Sequence, residues 1–227
     1  MVPIMQGMDT TVSIDCHGLR CVRRLQRHGS RRQERGFSLI EVLIAILVLS
    51  IGLLGMVGMQ FASLQSNRDA RLQSTAADLA REMAEMMRGN KAVAVQSGTA
   101  NPYLGDYSSS PLVPSTTSYC LAVANHNCAD NTEIARAELT EWLARVDAAL
   151  PGARVVICRD DAPYDSSGKP QWACTNSGTS NPVNYIKIGW SRLSTDSTQT
   201  GTSRLLSATA TTSRPWLIFP VTAGHAD

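Results

Sequence analysis

The residues most able to do chemistry in this chain lie close together near its start. They are a glycine, an aromatic residue and, four positions further on, a carboxylate. The stretch Arg35-Gly36-Phe37-Ser38-Leu39-Ile40-Glu41 opens an apolar run, residues 37–61, in which Glu41 is the single charge. At the centre of a membrane helix an acidic residue costs about 2.5–3.5 kcal/mol, so a residue of this kind has a partner or a task. Nothing else in the run can neutralise Glu41. Hydrolysis of the Gly36–Phe37 bond would create a neutralising group, because the new α-amino group of Phe37 is a cation at neutral pH. A second copy packed one step along would present that amine to Glu41. If the chain were cut at this bond, these residue types at this spacing would allow charge pairing between chains.

Other chemistry finds little support. The chain has no nucleophile elbow, no phosphate loop and no zinc-protease helix. Cys16 and Cys21, with His17 and His28 nearby, match no compact zinc pattern. Asp160, Asp161 and Asp165 form a small acidic cluster without the alternating ligand positions of a calcium loop, and turn formation near Pro163 explains them as well. His126, between two asparagines, reads as a loop residue. The expectation is a protein that is not an enzyme, with no catalytic residue, no metal and no cofactor.

The elements around Glu41 set its topology. Residues 1–36 hold seven arginines against three acids, a net +4, which leaves −2 for the remainder of a chain whose total is +2. Such an arm could bind nucleic acid, but the apolar run that follows makes membrane topology the better reading, so no nucleic-acid partner is expected. Arginines flanking a hydrophobic span keep that side in the cytoplasm. The run itself reaches about 36 Å as a helix, enough to cross a hydrocarbon core of about 30 Å. Gly52, Gly55 and Gly58 punctuate its second half, and small residues permit close approach of helices. Cys120, Cys128, Cys158 and Cys174 then fall on the oxidising side as an even set. Three pairings are open; the local one, Cys120 with Cys128 and Cys158 with Cys174, is preferred.

Beyond residue 61 the helical pattern continues. Leu72, Ala76, Leu79, Met83 and Met86 recur at helical spacing, opposite a mostly charged face. Gly89-Asn90 is the expected stop, with either residue able to take the left-handed conformation. The division expected is a basic leader over 1–36, a membrane helix over 37–61, its amphipathic continuation over 62–89 and a disulfide-bearing globular domain over 90–227. Residues 90–130 read as loop, with turns at Asn101-Pro102 and Ser110-Pro111. Asp130 with Glu133 starts a second helix whose stripe is Ala135, Leu139, Trp142, Leu143 and Val146, ended by Pro151-Gly152. Strands are expected over 154–158, 185–190, 203–210 and 216–221, with Tyr185, Lys187 and Gly189 on the solvent side of the second. The fold class is α+β: a long N-terminal helix, half transmembrane and half amphipathic, packed on an antiparallel sheet.

A glycine, an aromatic and S-L-I-E leading into an apolar run resembles the class III signal of type IV prepilins. The continuation Ser50-Ile51-Gly52-Leu53-Leu54-Gly55, with Val156-Ile157-Cys158-Arg159-Asp160 and Trp172-Ala173-Cys174 further on, is similar to PilV-type minor pilins. The resemblance implies a pilin-like fold and processing by a prepilin peptidase after Gly36, with methylation of Phe37 and Glu41 as the assembly carboxylate. It implies a type IV pilus subunit that primes assembly or occupies the tip, in a Gram-negative cell. Its partners would be other pilins and minor pilins through the N-terminal helix, the pilus assembly platform and a tip adhesin, serving adhesion and twitching motility. The subunit would wait in the inner membrane, single-pass with its N-terminus cytoplasmic and its C-terminal domain periplasmic, before entering the pilus. Two departures stand out: Gly58 replaces the proline of many major pilins, and a 36-residue leader is long. A type II secretion minor pseudopilin shares the leader and Glu41 and is the nearer alternative; a signal-anchored periplasmic enzyme or binding protein is the distant one.

Overall fold

A computed structural model of the chain describes residues 36–123, 127–176, 183–194, 196 and 198–224, together with the backbone of Ile14–Cys16 and Cys21–Arg23. Apart from the backbone of Arg23, the arginines and histidines of the leader lie outside the described residues, as does His126. The leader contains a short antiparallel pair, β1 (Ile14–Cys16) with β2 (Cys21–Arg23).

The chain divides into two compact units, Met1–Val57 and Gly58–Asp227. The first carries the start of α1 (Leu39–Gly89), which has no proline to interrupt it. The second unit is built on the amphipathic part of that helix. Ala76, Leu79, Ala80, Met83, Ala84 and Met87 are buried, and Leu72 and Met86 pack at the margin. This is the face that the helical spacing predicted, widened by Met87 and by two alanines, Ala80 and Ala84, that let the backbone approach its neighbours.

The end of α1 differs from expectation. Neither Gly89 nor Asn90 is left-handed: Asn90 has φ −109°, and the positive-φ glycines lie elsewhere. The Asn90 amide still donates to the Met86 carbonyl at 3.0 Å, and the chain turns directly into a short helix, α2 (Lys91–Ala94). The Asn90 side chain instead donates to the Asn131 carbonyl at 2.7 Å, tying this corner to the next helix. A tertiary hydrogen bond replaces the local cap.

The segment that follows is held by polar side chains. Asn101 donates to the Ala94 carbonyl at 3.0 Å and accepts from the Tyr103 amide at 3.1 Å, and Arg159 donates to the Val95 and Gln96 carbonyls. It also contains a strand that sequence reading placed in loop, β3 (Gly105–Tyr107). A Cβ at Gly105 would stand 2.4 Å from the Tyr107 hydroxyl, so the ring lies across this position and a side chain there would displace it.

Helix α3 (Asn131–Ala149) begins as expected. Asp130 accepts from the Glu133 amide at 2.8 Å, and the Glu133 carboxylate reaches back to the Ala129 amide at 2.7 Å. All five residues of its predicted stripe are buried. It ends before Pro151-Gly152, where Gly152 has φ +56° and a Cβ would lie 2.5 Å from Ser191 Oγ. Trp142, fully buried, donates its indole N–H to the Leu79 carbonyl of α1 at 2.9 Å. Trp142→Ala is expected to cost about 3–5 kcal/mol, and Trp142→Phe about 1 kcal/mol for the lost hydrogen bond, since the Leu79 carbonyl lies inside α1 and keeps its helical partner. Thermal unfolding of the full chain in detergent measures both.

The sheet is antiparallel in the order β3, β4 (Arg154–Arg159), β5 (Asn184–Gly189) and β8 (Leu217–Val221). The strand expected over 203–210 is largely not one. A 3-10 turn at Gly201–Arg204 leads into β7 (Leu205–Leu206), which pairs only with β6 (Arg192–Leu193). Hydroxyls outcompete the ladder beyond it: Ser207 Oγ accepts from the Thr209 amide at 3.3 Å, and Ser213 Oγ donates to the Ala208 carbonyl at 2.6 Å. Val155, Ile157, Ile186 and Ile188 join the helices in one core. A long helix packed against an antiparallel sheet is the α+β arrangement expected.

Candidate assembly site

The segment around the predicted cut is accessible. Gly36, Phe37 and Ser38 are non-helical and exposed, Phe37 to 82%, and α1 begins two residues beyond the Gly36–Phe37 bond. The Ser38 carbonyl accepts from the amides of Glu41 at 3.0 Å and Val42 at 3.3 Å, which closes the first turn. Glu41 lies in that turn, where the positive end of the helix dipole favours a carboxylate. Ser38 and Glu41 also have capping-box spacing, a local role that the sequence reading passed over. Neither of the two side-chain hydrogen bonds of that motif forms. Glu41 is exposed, and its carboxylate makes no hydrogen bond or ion pair with any described residue.

Around it the helix is apolar on every side. Large hydrophobic residues from Leu39 to Leu64 are exposed, and no residue of the apolar run is buried. By length and composition this is the one helix among the described residues able to cross a membrane. So large an uncovered apolar surface requires lipid or other helices around it. Gly52, Gly55 and Gly58 would meet nothing within 4 Å if each carried a Cβ. At 100° per residue they span about 120° of the helix, so they permit close approach over a sector rather than along one line.

Residues 31–57 match the family model described as Prokaryotic N-terminal methylation motif. No curated protein and no solved structure matches the chain. The chain thus carries a class III prepilin motif, consistent with type IV pilin-like proteins in general, and Gly36, Phe37 and Glu41 all fall inside it. The motif is non-catalytic.

In the globular unit the structure pairs Cys120 with Cys128 and Cys158 with Cys174. The second closes a loop of a size that contributes about 3 kcal/mol by restricting the unfolded chain. The three aspartates do not converge on a common point. Asp160 pairs with Lys187 at 2.5 Å, both side chains fully buried, while Asp165 faces Arg214 at 2.7 Å. Hydrogen bonds from the Ser167 side chain and the Lys169 backbone, with Arg214 beside them, hold the Asp165 carboxyl well below the usual carboxylate range. No group of three metal-binding side chains occurs among the described residues.

Lys187 is the clearest departure from the alternation that placed it in solvent. Its Nζ also donates to the carbonyls of Ala173 at 2.6 Å and Trp172 at 3.5 Å. The loop closed by Cys158–Cys174 covers the second face of the sheet, and Trp172 sits so close to Gly189 that a Cβ there would be 2.8 Å from the ring. On the other side of the unit, Tyr103 is fully buried and donates its hydroxyl to Glu138. Burial first, and then the Glu138 carboxylate, push the phenol far above its ordinary range; burial raises Glu138 as well.

Proposed function

We propose that this chain is a minor pilin of a type IV pilus, cut after Gly36 by a prepilin peptidase and methylated at Phe37. The observation that carries the reading is Glu41. It is the only charge of an uncovered apolar run, lies within the methylation motif and has no partner among the described residues. Methylation leaves the Phe37 amine cationic. A subunit alone keeps its carboxylate against lipid; beside a second subunit, that amine neutralises it and the apolar helices cover one another. Before assembly the processed subunit resides in the inner membrane with the globular unit outside the cytoplasm. Polymerisation is non-covalent, through the assembly platform, and the subunit takes a priming or tip position with other minor pilins and an adhesin. The disulfides support this placement, since they persist on the oxidising side.

Intact mass and N-terminal sequencing, with and without a prepilin peptidase, test the proposal. The expected product begins at N-methylated Phe37 and forms only with the peptidase. A chain that keeps residues 1–36, or is cut elsewhere, overturns the reading. Deletion in the native host separates pilus from secretion roles: loss of surface fibres is expected, and loss of secreted enzymes with fibres intact contradicts it.

A further inference from the structure

Just beyond the apolar run, α1 presents a basic stripe. Leu64, Arg68, Arg71 and Thr75 follow one another at helical spacing, and with Ala149 at the end of α3 they line a groove of about 340 Å³. Both arginines are exposed, and neither makes an ion pair with any described residue. The acids nearby do not neutralise the stripe. Asp69 lies about 100° around the helix from Arg68; Asp78 pairs with Arg81 at 3.0 Å, and Glu82 with Arg145.

The height of the stripe identifies its ligand. Arg68 is seven residues past Phe61 and Arg71 ten, about 10 and 15 Å along the axis. Helical side chains lean toward the N-terminus, here toward the bilayer, and arginine can extend its head several ångströms further. The headgroup layer adds about 5–7 Å beyond the hydrocarbon on each side. The guanidinium groups therefore meet the phosphates, while Leu64, one turn below Arg68, meets the upper acyl carbons.

We infer that this groove binds the headgroup of an anionic phospholipid in the non-cytoplasmic leaflet. The inference rests on the proposed membrane residence of the unassembled subunit. A zwitterionic lipid also offers a phosphate, but it brings a cation against the arginines; a glycerol headgroup does not. Removal of the leader takes away seven arginines. Arg68 and Arg71 then hold the processed subunit at a defined depth until it enters a filament.

The test uses the full chain in vesicles of equimolar phosphatidylglycerol and phosphatidylcholine, with lipid adducts counted by native mass spectrometry after release. Phosphatidylglycerol is expected to dominate by about 30-fold, from two arginines at a membrane surface. The preference disappears in Arg68→Gln/Arg71→Gln and largely survives in Arg68→Lys/Arg71→Lys. Equal retention of both lipids, or an undiminished preference in the glutamine variant, overturns the inference. So does displacement of the lipid by millimolar inorganic phosphate, which would mark a free-phosphate site. Carbonate extraction separates the two levels: a chain that stays in the membrane without lipid preference refutes only the groove, whereas a chain that is extracted refutes membrane residence as well.

Discussion

Glu41→Gln is expected to leave peptidase cleavage intact and to lower incorporation into filaments about a hundredfold. An acidic residue in the membrane costs up to about 3 kcal/mol, and pairing with a neighbour's amine offsets that cost only in the assembled state. Removing the charge removes the offset, and 1.36 kcal/mol corresponds to a factor of ten. The glutamine variant should also insert into membranes at least as well as the parent chain, because its isolated state no longer carries a carboxylate. Quantifying the subunit in sheared filaments and in the membrane fraction measures both effects. Glu41→Asp keeps the charge on a shorter arm and should recover part of the incorporation. Unchanged filament content in Glu41→Gln would sink the pairing mechanism, even if processing at Phe37 were found as expected.

The second large effect lies in the globular unit. Lys187→Met is expected to destabilise the fold by about 3–5 kcal/mol, because it strands the fully buried Asp160 carboxylate without its cation. It also removes the donor shared by the carbonyls of Trp172 and Ala173. For a domain of this size, 1 kcal/mol moves the midpoint by about 2–4 °C, so Tm should fall by about 10 °C. Lys187→Met/Asp160→Asn removes both charges. The asparagine side chain would keep an acceptor for the Ala162 and Thr175 amides, which Asp160 Oδ1 now binds at 2.9 and 3.0 Å. The double variant should therefore recover most of the loss. Near-UV circular dichroism of the full chain in detergent reads the transition. A single variant within 1 kcal/mol of the parent, or a double variant as unstable as the two single losses added, would show that the pair is not the anchor of this loop.

The two predictions differ in how far each was visible in the amino-acid order. Glu41 stands out because its context is local: one charge in a continuous apolar run, four residues after Phe37, needs no tertiary information to be noticed. The stripes Ala76/Leu79/Met83 and Leu139/Trp142/Leu143/Val146 are equally local, since a 3.6-residue period repeats within each helix. The start of α3 follows from Asp130 and Glu133, whose side chains bond amides within four residues of themselves.

The rest depended on residues far apart in the chain. Tyr185, Lys187 and Gly189 alternate with apolar neighbours as a half-exposed strand should, yet Lys187 is buried because a loop anchored by Cys158–Cys174 folds over it. Its carboxylate partner lies 27 residues away, beyond the reach of any periodic pattern. Strand β3 has three residues and exists only through pairing with β4; Asn90 is turned by the Asn131 carbonyl rather than by its own φ. The methylation motif, the apolar helix and the amphipathic faces are legible in the order of residues, because each is a pattern among neighbours along the chain. Which polar groups are buried is settled in three dimensions, because burial of a charge depends on a partner that the fold, not the order of residues, brings within hydrogen-bonding distance.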